Sequence, residues 1–250
     1  MTTILLLSDL HFEFMADKGR SFVDSLDPSN VDVLVLAGDI AGASSIGRAL
    51  TAFSARFPKA EILYVEGNHE FYNSNRKDVQ RTLQNINWLP LGMPPEVKNN
   101  VHWLKNSIFK HEGQRFLGTT LWFPQARRSL EEAWSDFNFI ADFKDWVYEE
   151  NKKAVEFLKD NLCEGDAVIT HYLPSPACIA PRWQEEPTNC FFVTDLTSLI
   201  EERKPALWLF GHTHTSIDVK VGSTRLICNP FGYVNIDENP SFDARFLVTL

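Results

Sequence analysis

Ile4-Leu5-Leu6-Leu7-Ser8-Asp9-Leu10-His11 sets a pattern that the rest of the chain repeats. Four apolar residues in a row, without polar alternation, read as a short strand buried on both faces. The polar residues that follow put a carboxylate and an imidazole at its carboxyl end. The arrangement recurs along the chain. Residues 33–37 lead into Gly38-Asp39, residues 62–65 into Glu66-Gly67-Asn68-His69-Glu70, residues 167–170 into His171, and residues 207–210 into Gly211-His212-Thr213-His214. In open α/β sheets, ligands bind just beyond the carboxyl ends of the strands.

Between these runs lie segments of helical period. Residues 46–57 put Ile46, Leu50, Phe53 and Phe57 on one side and stop at Pro58. Residues 149–162 do the same with Val155, Leu158 and Leu162, and residues 196–203 end before Pro205. Such alternation indicates an α/β fold. Later the chain becomes purely β. Residues 217–221 and 224–228 flank Gly222-Ser223 as a hairpin, and residues 246–250 form a last strand. Residues 121–146 are unusual in holding Trp122, Phe123, Trp134, Phe137, Phe139, Phe143 and Trp146, and are read as a candidate cap or lid.

Bulk properties narrow the classes. A chain of 250 residues with 44% hydrophobic and 23% charged residues builds an ordinary core, and no linker divides it, so one domain over residues 1–250 is expected. The formal net charge of −9 repels phosphate backbones, so a stable nucleic-acid complex is not expected. The four cysteines show no Cys-x-x-Cys pairing and read as reduced thiols. Residues 4–7 are too short for a signal-peptide core, and no run reaches the length of a membrane span, which together suggest a cytoplasmic protein without a membrane partner.

Of seven histidines, His11, His69, His171, His212 and His214 follow the buried runs; His102 and His111 do not. With Asp9, Asp39 and Asn68 they offer more donors than one tetrahedral zinc takes. The set suits two ions sharing a carboxylate, each with mixed oxygen and nitrogen ligands. No cysteine is among the donors, which fits Mn, Fe or Zn without choosing one. Helix capping would account for Asp39 or Asn68 alone, but not for five sorted imidazoles.

The ordered set Asp9-x-His11, Gly38-Asp39, Gly67-Asn68-His69-Glu70, His171 and Gly211-His212-Thr213-His214 resembles the metallophosphoesterase, or calcineurin-like phosphoesterase, superfamily. The resemblance implies a four-layer α-β-β-α sandwich, two mixed sheets flanked by helices. It implies two divalent or trivalent metal ions and hydrolysis of phosphate mono- or diesters by a bridging hydroxide. Residue by residue, it implies Asp9, His11 and His214 at one ion, Asn68, His171 and His212 at the other, and Asp39 shared. His69 would contact the phosphate and protonate the leaving oxygen, with Asn68 beside it. Cyclic-nucleotide phosphodiesterases are the nearest alternative. A nuclease is opposed by the charge, and a non-catalytic scaffold by the intact motif set. Protein phosphatases of this kind carry an arginine after Asn-His, where this chain has Glu70-Phe71-Tyr72.

The expected substrate is a small phosphorylated molecule; nothing in the sequence points to a protein partner. Arg127, beside Arg128, is a candidate grip on its charge, although two solvated arginines on a loop explain the pair as well. Trp122 and Tyr172 are candidate substrate contacts, against the plainer reading of aromatic core packing. Glu70 reads as a structural residue, and Asn229-Pro230-Phe231-Gly232-Tyr233 as a structural turn.

Overall fold

Strands that are apolar on both faces need a partner layer on each side, and two stacked sheets between helices provide it. The structure, a computed structural model, describes residues 1–84, 100–125 and 128–250. The first sheet holds β1 (Thr3–Leu7), β2 (Val33–Ala37), β3 (Glu61–Val65), β4 (Val101–Trp103) and, at its edge, β13 (Leu247–Thr249). Its order is β13-β1-β2-β3-β4, parallel except for β13. The second holds β5 (Ser107–His111), β6 (Gln114–Gly118), β7 (Ala167–Ile169), β8 (Leu207–Phe210), β9 (Ile217–Val221) and β10 (Thr224–Cys228). Its order is β5-β6-β7-β8-β10-β9, with a parallel centre and an antiparallel strand at each edge. A short ribbon joins β11 (Gly232–Tyr233) to β12 (Asp237–Glu238).

Period-two geometry explains the unbroken apolar runs. In β2, Val33, Val35 and Ala37 enter a cluster between the sheets with Leu63, Val65, Phe116, Ile169, Leu209 and Ile227. The alternate residues Leu34 and Leu36 face outward and belong to the cluster that includes Ile46, Leu50 and Phe53 of α2 (Ile46–Arg56). The same cluster includes Val168 and Trp208 from the second sheet with Leu158 and Ile200 from the helices that cover it. The four-layer sandwich is therefore the fold.

The remaining helices are α1 (Arg20–Ser25), α3 (Arg76–Gln84), α4 (Arg128–Glu131), α5 (Asp136–Phe139), α6 (Phe143–Asn161) and α7 (Thr197–Arg203). The helical period expected from residue 149 onward belongs to α6, which begins six residues earlier, at Phe143. Phe143 and Val147 are buried, so the apolar stripe extends back into the aromatic segment. Both ends of the aromatic segment 121–146 are therefore core, while Trp134, Ser135 and Asp136 in its middle line a cavity. Trp122, Phe123 and Phe143 are 3%, 0% and 2% exposed and pack into the main core. Several elements leave no pattern in the sequence, among them β5, an edge strand with no buried face, and α1, which spans only six residues. Among the described residues no helix is long and apolar enough to cross a membrane.

Phe116, 0% exposed between the sheets, joins the two layers. Phe116→Ala is expected to lower the unfolding free energy by about 3–5 kcal/mol, read by urea denaturation; a loss under about 1 kcal/mol would place this ring outside a close-packed interior.

Candidate active site

Every strand that precedes a candidate ligand ends on the same side, and the chain turns sharply there. Asp9, His11, Asp39, His212 and His214 all have φ between 46° and 69°, in the left-handed region. Asp and His tolerate that region better than most residues, and strained backbone concentrates where geometry matters. Loop-to-loop bonds hold the turns: the Asp9 N–H donates to Gly38 O and the His11 N–H to Asp39 O. Gly38 itself has φ +86°, and a Cβ on Gly67 would stand 2.2 Å from Asp39 Oδ1. The strand ends can crowd together only because Gly67 has no side chain.

The candidate ligands converge. Asp9, His11 and His214 bring one donor atom each within 4.8 Å of one another, and so do Asp39, His171 and His212. Asp39 faces both groups, with Oδ2 3.8 Å from His11 Nε2 and 3.5 Å from His171 Nε2. His11 Nε2 and His214 Nε2 lie 3.0 Å apart. Asn68 joins the second group, its Oδ1 3.1 Å from His171 Nε2.

The chemistry of this set fits cations. His171 Nδ1 donates to Ala37 O at 2.9 Å, so in the neutral ring the Nε2 lone pair faces two further acceptors, Asn68 Oδ1 and Asp39 Oδ2. His212 Nε2 is buried without any hydrogen-bond partner. Carboxylates are also packed at high density. Burial raises Asp9, and burial followed by the charge of Asp39 pushes Glu70 up to about 8. Burial opposes a proton on His171, yet Asp39 and Asp9 overcome it and lift the imidazole to about 9. Burial lowers His11, His212 and His214, so these imidazoles favour the neutral form that a metal ligand needs.

A surrounding layer aims these groups. The buried Glu70 carboxylate accepts the backbone N–H groups of Asp39, Ile40 and Gly67, as a structural residue should. Asp136, fully buried at the start of α5, accepts from Asn68 Nδ2 at 3.0 Å, Tyr72 OH at 2.6 Å and Trp134 Nε1 at 3.1 Å. An acceptor on that side fixes the Asn68 amide with its oxygen toward His171. Glu13 accepts from His69 Nδ1 at 2.9 Å, contacts His11 Nδ1 at 3.3 Å, and takes the Gly42 N–H. Burial would raise its carboxyl, but the two imidazole hydrogen bonds hold it at about 2. Burial lowers His69, and Asp39 with Glu13 reverse this to a net rise. Sequence reasoning missed Glu13 and Asp136. Glu13 lies two residues past His11, which was the one available signal; Asp136 sits 68 residues from its partner Asn68.

A cavity of about 320 Å³ opens onto Asp39, Asn68, His212 and His214. Tyr72 and Tyr233 form its wall in front of His69, which is 5% exposed. Tyr233 OH meets His69 Nε2 at 2.9 Å, so the segment read as a structural turn reaches the site. Its first residue does brace the fold: Asn229 Nδ2 donates to Leu6 O and Asp243 O. Two candidate substrate contacts are corrected. Trp122 packs against Phe71, Phe143 and Trp146, and Tyr172 is 0% exposed with its ring 4.2 Å from that of His212. Both lie behind the cavity, where their apolar area is buried. Arg127 lies outside the described residues.

Residues 2–216 match the calcineurin-like phosphoesterase family. The chain belongs to this family. This calcineurin-like phosphoesterase is a hydrolase of phosphoester bonds, and the family implies divalent metal ions. It is similar to the uncharacterized protein L509 of Acanthamoeba polyphaga mimivirus, 26% identical over 281 residues, covering 95% of this chain and 98% of that one. Among solved structures, phosphopantetheinyl hydrolase (PptH) from Mycobacterium tuberculosis superposes with a TM-score of 0.65 at 15% identity, over 93% of this chain and 90% of that one. TT1561 of Thermus thermophilus gives 0.53 at 16% identity, over 92% and 89%. GAP50, the anchor in the inner membrane complex of Plasmodium, gives 0.50 at 12% identity, over 98% and 77%. At these identities the structural likeness is one of fold.

If Asp136 orients Asn68, Asp136→Leu should weaken Mn²⁺ binding about ten- to hundredfold by calorimetry while leaving far-ultraviolet circular dichroism unchanged. Unaltered affinity in a folded variant would remove Asp136 from the metal-binding machinery.

Proposed function

We propose that this phosphoesterase hydrolyses small phosphate mono- or diesters at a dinuclear centre held by Asp9, His11, Asp39, Asn68, His171, His212 and His214. The observation that carries the reading is Asp39 Oδ2, which lies 3.8 Å from one imidazole group and 3.5 Å from the other, as a shared ligand must. Nitrogen and oxygen donors suit Mn, Fe or Zn. Bound there, such ions supply Lewis acidity toward the phosphoryl oxygens and make a water nucleophilic near neutral pH.

The chain's own residues handle the leaving group. Glu13 holds His69 by Nδ1, which directs Nε2 at Tyr233 OH. Tyr233 lines the cavity and His69 stands behind it. In this reading the departing oxygen takes the Tyr233 O–H proton, and Tyr233 recovers one from His69 Nε2. The carboxylate of Glu13 stabilises His69 in the protonated form that this transfer needs.

The substrate is small and phosphorylated. The cavity is near the lower end of the usual size for small-molecule sites, about 300–1,000 Å³, and the −9 charge opposes polyanionic chains. Four free thiols are compatible with a reducing cytoplasm. The M. tuberculosis neighbour is named for hydrolysis, whereas the Plasmodium neighbour is named as an anchor. The complete donor set supports the catalytic alternative here.

Asp39→Asn is expected to cut hydrolysis of aryl phosphates and their diesters at least about a hundredfold with Mn²⁺ present; near-normal turnover would contradict the shared-ligand reading. Tyr233→Phe is expected to slow esters of poor leaving groups about a hundredfold and those of good leaving groups far less, since a good leaving group departs without a proton. His69→Asn should show the same selectivity, and the double variant should lose little more than either single one. Equal slowing across leaving groups would deny both residues a part in proton transfer.

A further inference from the structure

The apolar part of the cavity begins at a candidate metal ligand and runs outward without a break. The Phe192 ring lies 4.4 Å from that of His212, Trp134 packs 5.4 Å from Phe192, and Trp134 also stacks on Phe191 at 5.1 Å and 19°. Leu173, Ile179 and Trp183 complete the apolar lining. A group esterified to a phosphate held at the histidines has this wall on offer within the same cavity that Tyr233 lines.

The wall is built before a ligand arrives. Asn189 Nδ2 donates to Trp183 O at 2.7 Å and Gln184 O at 3.3 Å. Two 3-10 turns, Pro181–Trp183 and Pro187–Phe191, each start on a proline that presets the backbone. On the other side, Trp134 is fixed by its Nε1 bond to Asp136.

One positive side chain reaches this cavity among the described residues. Arg182 donates from Nη2 to Thr215 Oγ1 at 3.0 Å, and its guanidinium lies 5.0 Å from the Trp183 ring centroid. Thr215 directly follows His214, so the bond ties the guanidinium to the loop that carries both C-terminal ligands. No carboxylate among the described residues pairs with Arg182. A planar cation stacked on an aromatic ring, with donors unspent, is suited to an anion carried on a flat ring.

We propose that residues 134, 179–183 and 192 form a leaving-group subsite for a planar aromatic ring bearing an anionic substituent, which Arg182 receives. This rests on the reading that the phosphate sits at the histidine cluster, and it adds the chemical class of what is released. Phe192 and Trp134 supply the apolar face, and Glu186, Thr188 and Asn189 are polar residues of the same stretch, so Arg182 has to outweigh the Glu186 carboxylate for an anion to bind.

The test compares two aryl phosphates of matched leaving-group acidity, one with a carboxylate on the ring and one without. Wild type is compared with Arg182→Met and Phe192→Ala, each checked for an unchanged circular dichroism spectrum. Arg182→Met is expected to lower kcat/KM for the carboxylated ester about tenfold more than for the neutral one. Phe192→Ala should lower both relative to glycerol phosphate. Intrinsic reactivity cancels in these variant-to-wild-type ratios. Equal factors for the charged and neutral esters would overturn the subsite while leaving phosphoesterase activity intact. If wild type hydrolyses neither ester, the hydrolytic reading has failed separately, and calorimetry with the phosphate-free hydroxyaryl carboxylate decides the subsite. Binding weakened about tenfold by Arg182→Met supports it; no binding, or binding that the variant leaves unaltered, overturns it.

Discussion

The cavity concentrates negative charge away from water. Asp9, Asp39, Glu70 and Asp136 are each no more than 2% exposed, and the charge of Asp39 adds to the cost of ionising Asp9. Desolvated carboxylates at such density are unfavourable unless cations or donors compensate. Here the backbone N–H groups satisfy Glu70, three side-chain donors satisfy Asp136, and five imidazoles surround the other two. The arrangement is costly as a protein interior and well matched to metal ions, whose charge turns the same repulsion into affinity.

Two sheets are needed to create that situation. β1, β2 and β3 supply Asp9, His11, Asp39 and Asn68 from one layer, while β7 and β8 supply His171, His212 and His214 from the other. The sheets are joined by Val35, Val65, Phe116, Ile169, Leu209 and their neighbours. Dense packing of that interior sets the distance across which Asp39 reaches His171. Core and site are thus coupled: a shift of the sheets by one methylene width would change every distance between donors from different layers.

The same fold also accommodates one protein named as a hydrolase and one named as an anchor. Fold alone therefore says little about chemistry, and the side chains at the strand ends carry the conclusion. Around them, the features that shape this site lie outside the two large sheets, in short 3-10 turns and a two-stranded ribbon. Glu13 and Tyr233 bracket His69, and the turns between residues 179 and 192 shape the wall beside His212. Such short elements bond their backbone locally, whereas the strands of the two large sheets cannot change without repacking both layers.

The sequence alone determined the skeleton of apolar runs, the α/β class, the candidate ligands and the family, because these depend on local order: a buried run followed at once by Asp, Asn or His. Tertiary structure alone decided which side chains face the cavity. Trp122 and Tyr172 looked like substrate contacts because they adjoin strand ends, but their rings are buried behind the candidate ligands. Asp136, Tyr233 and Arg182 carry no local signal, since each acquires its neighbour only when segments 68, 164 and 33 residues apart are folded together. Sequence spacing records what a strand delivers to its own end; what meets it there is settled by how two sheets and their loops pack in three dimensions.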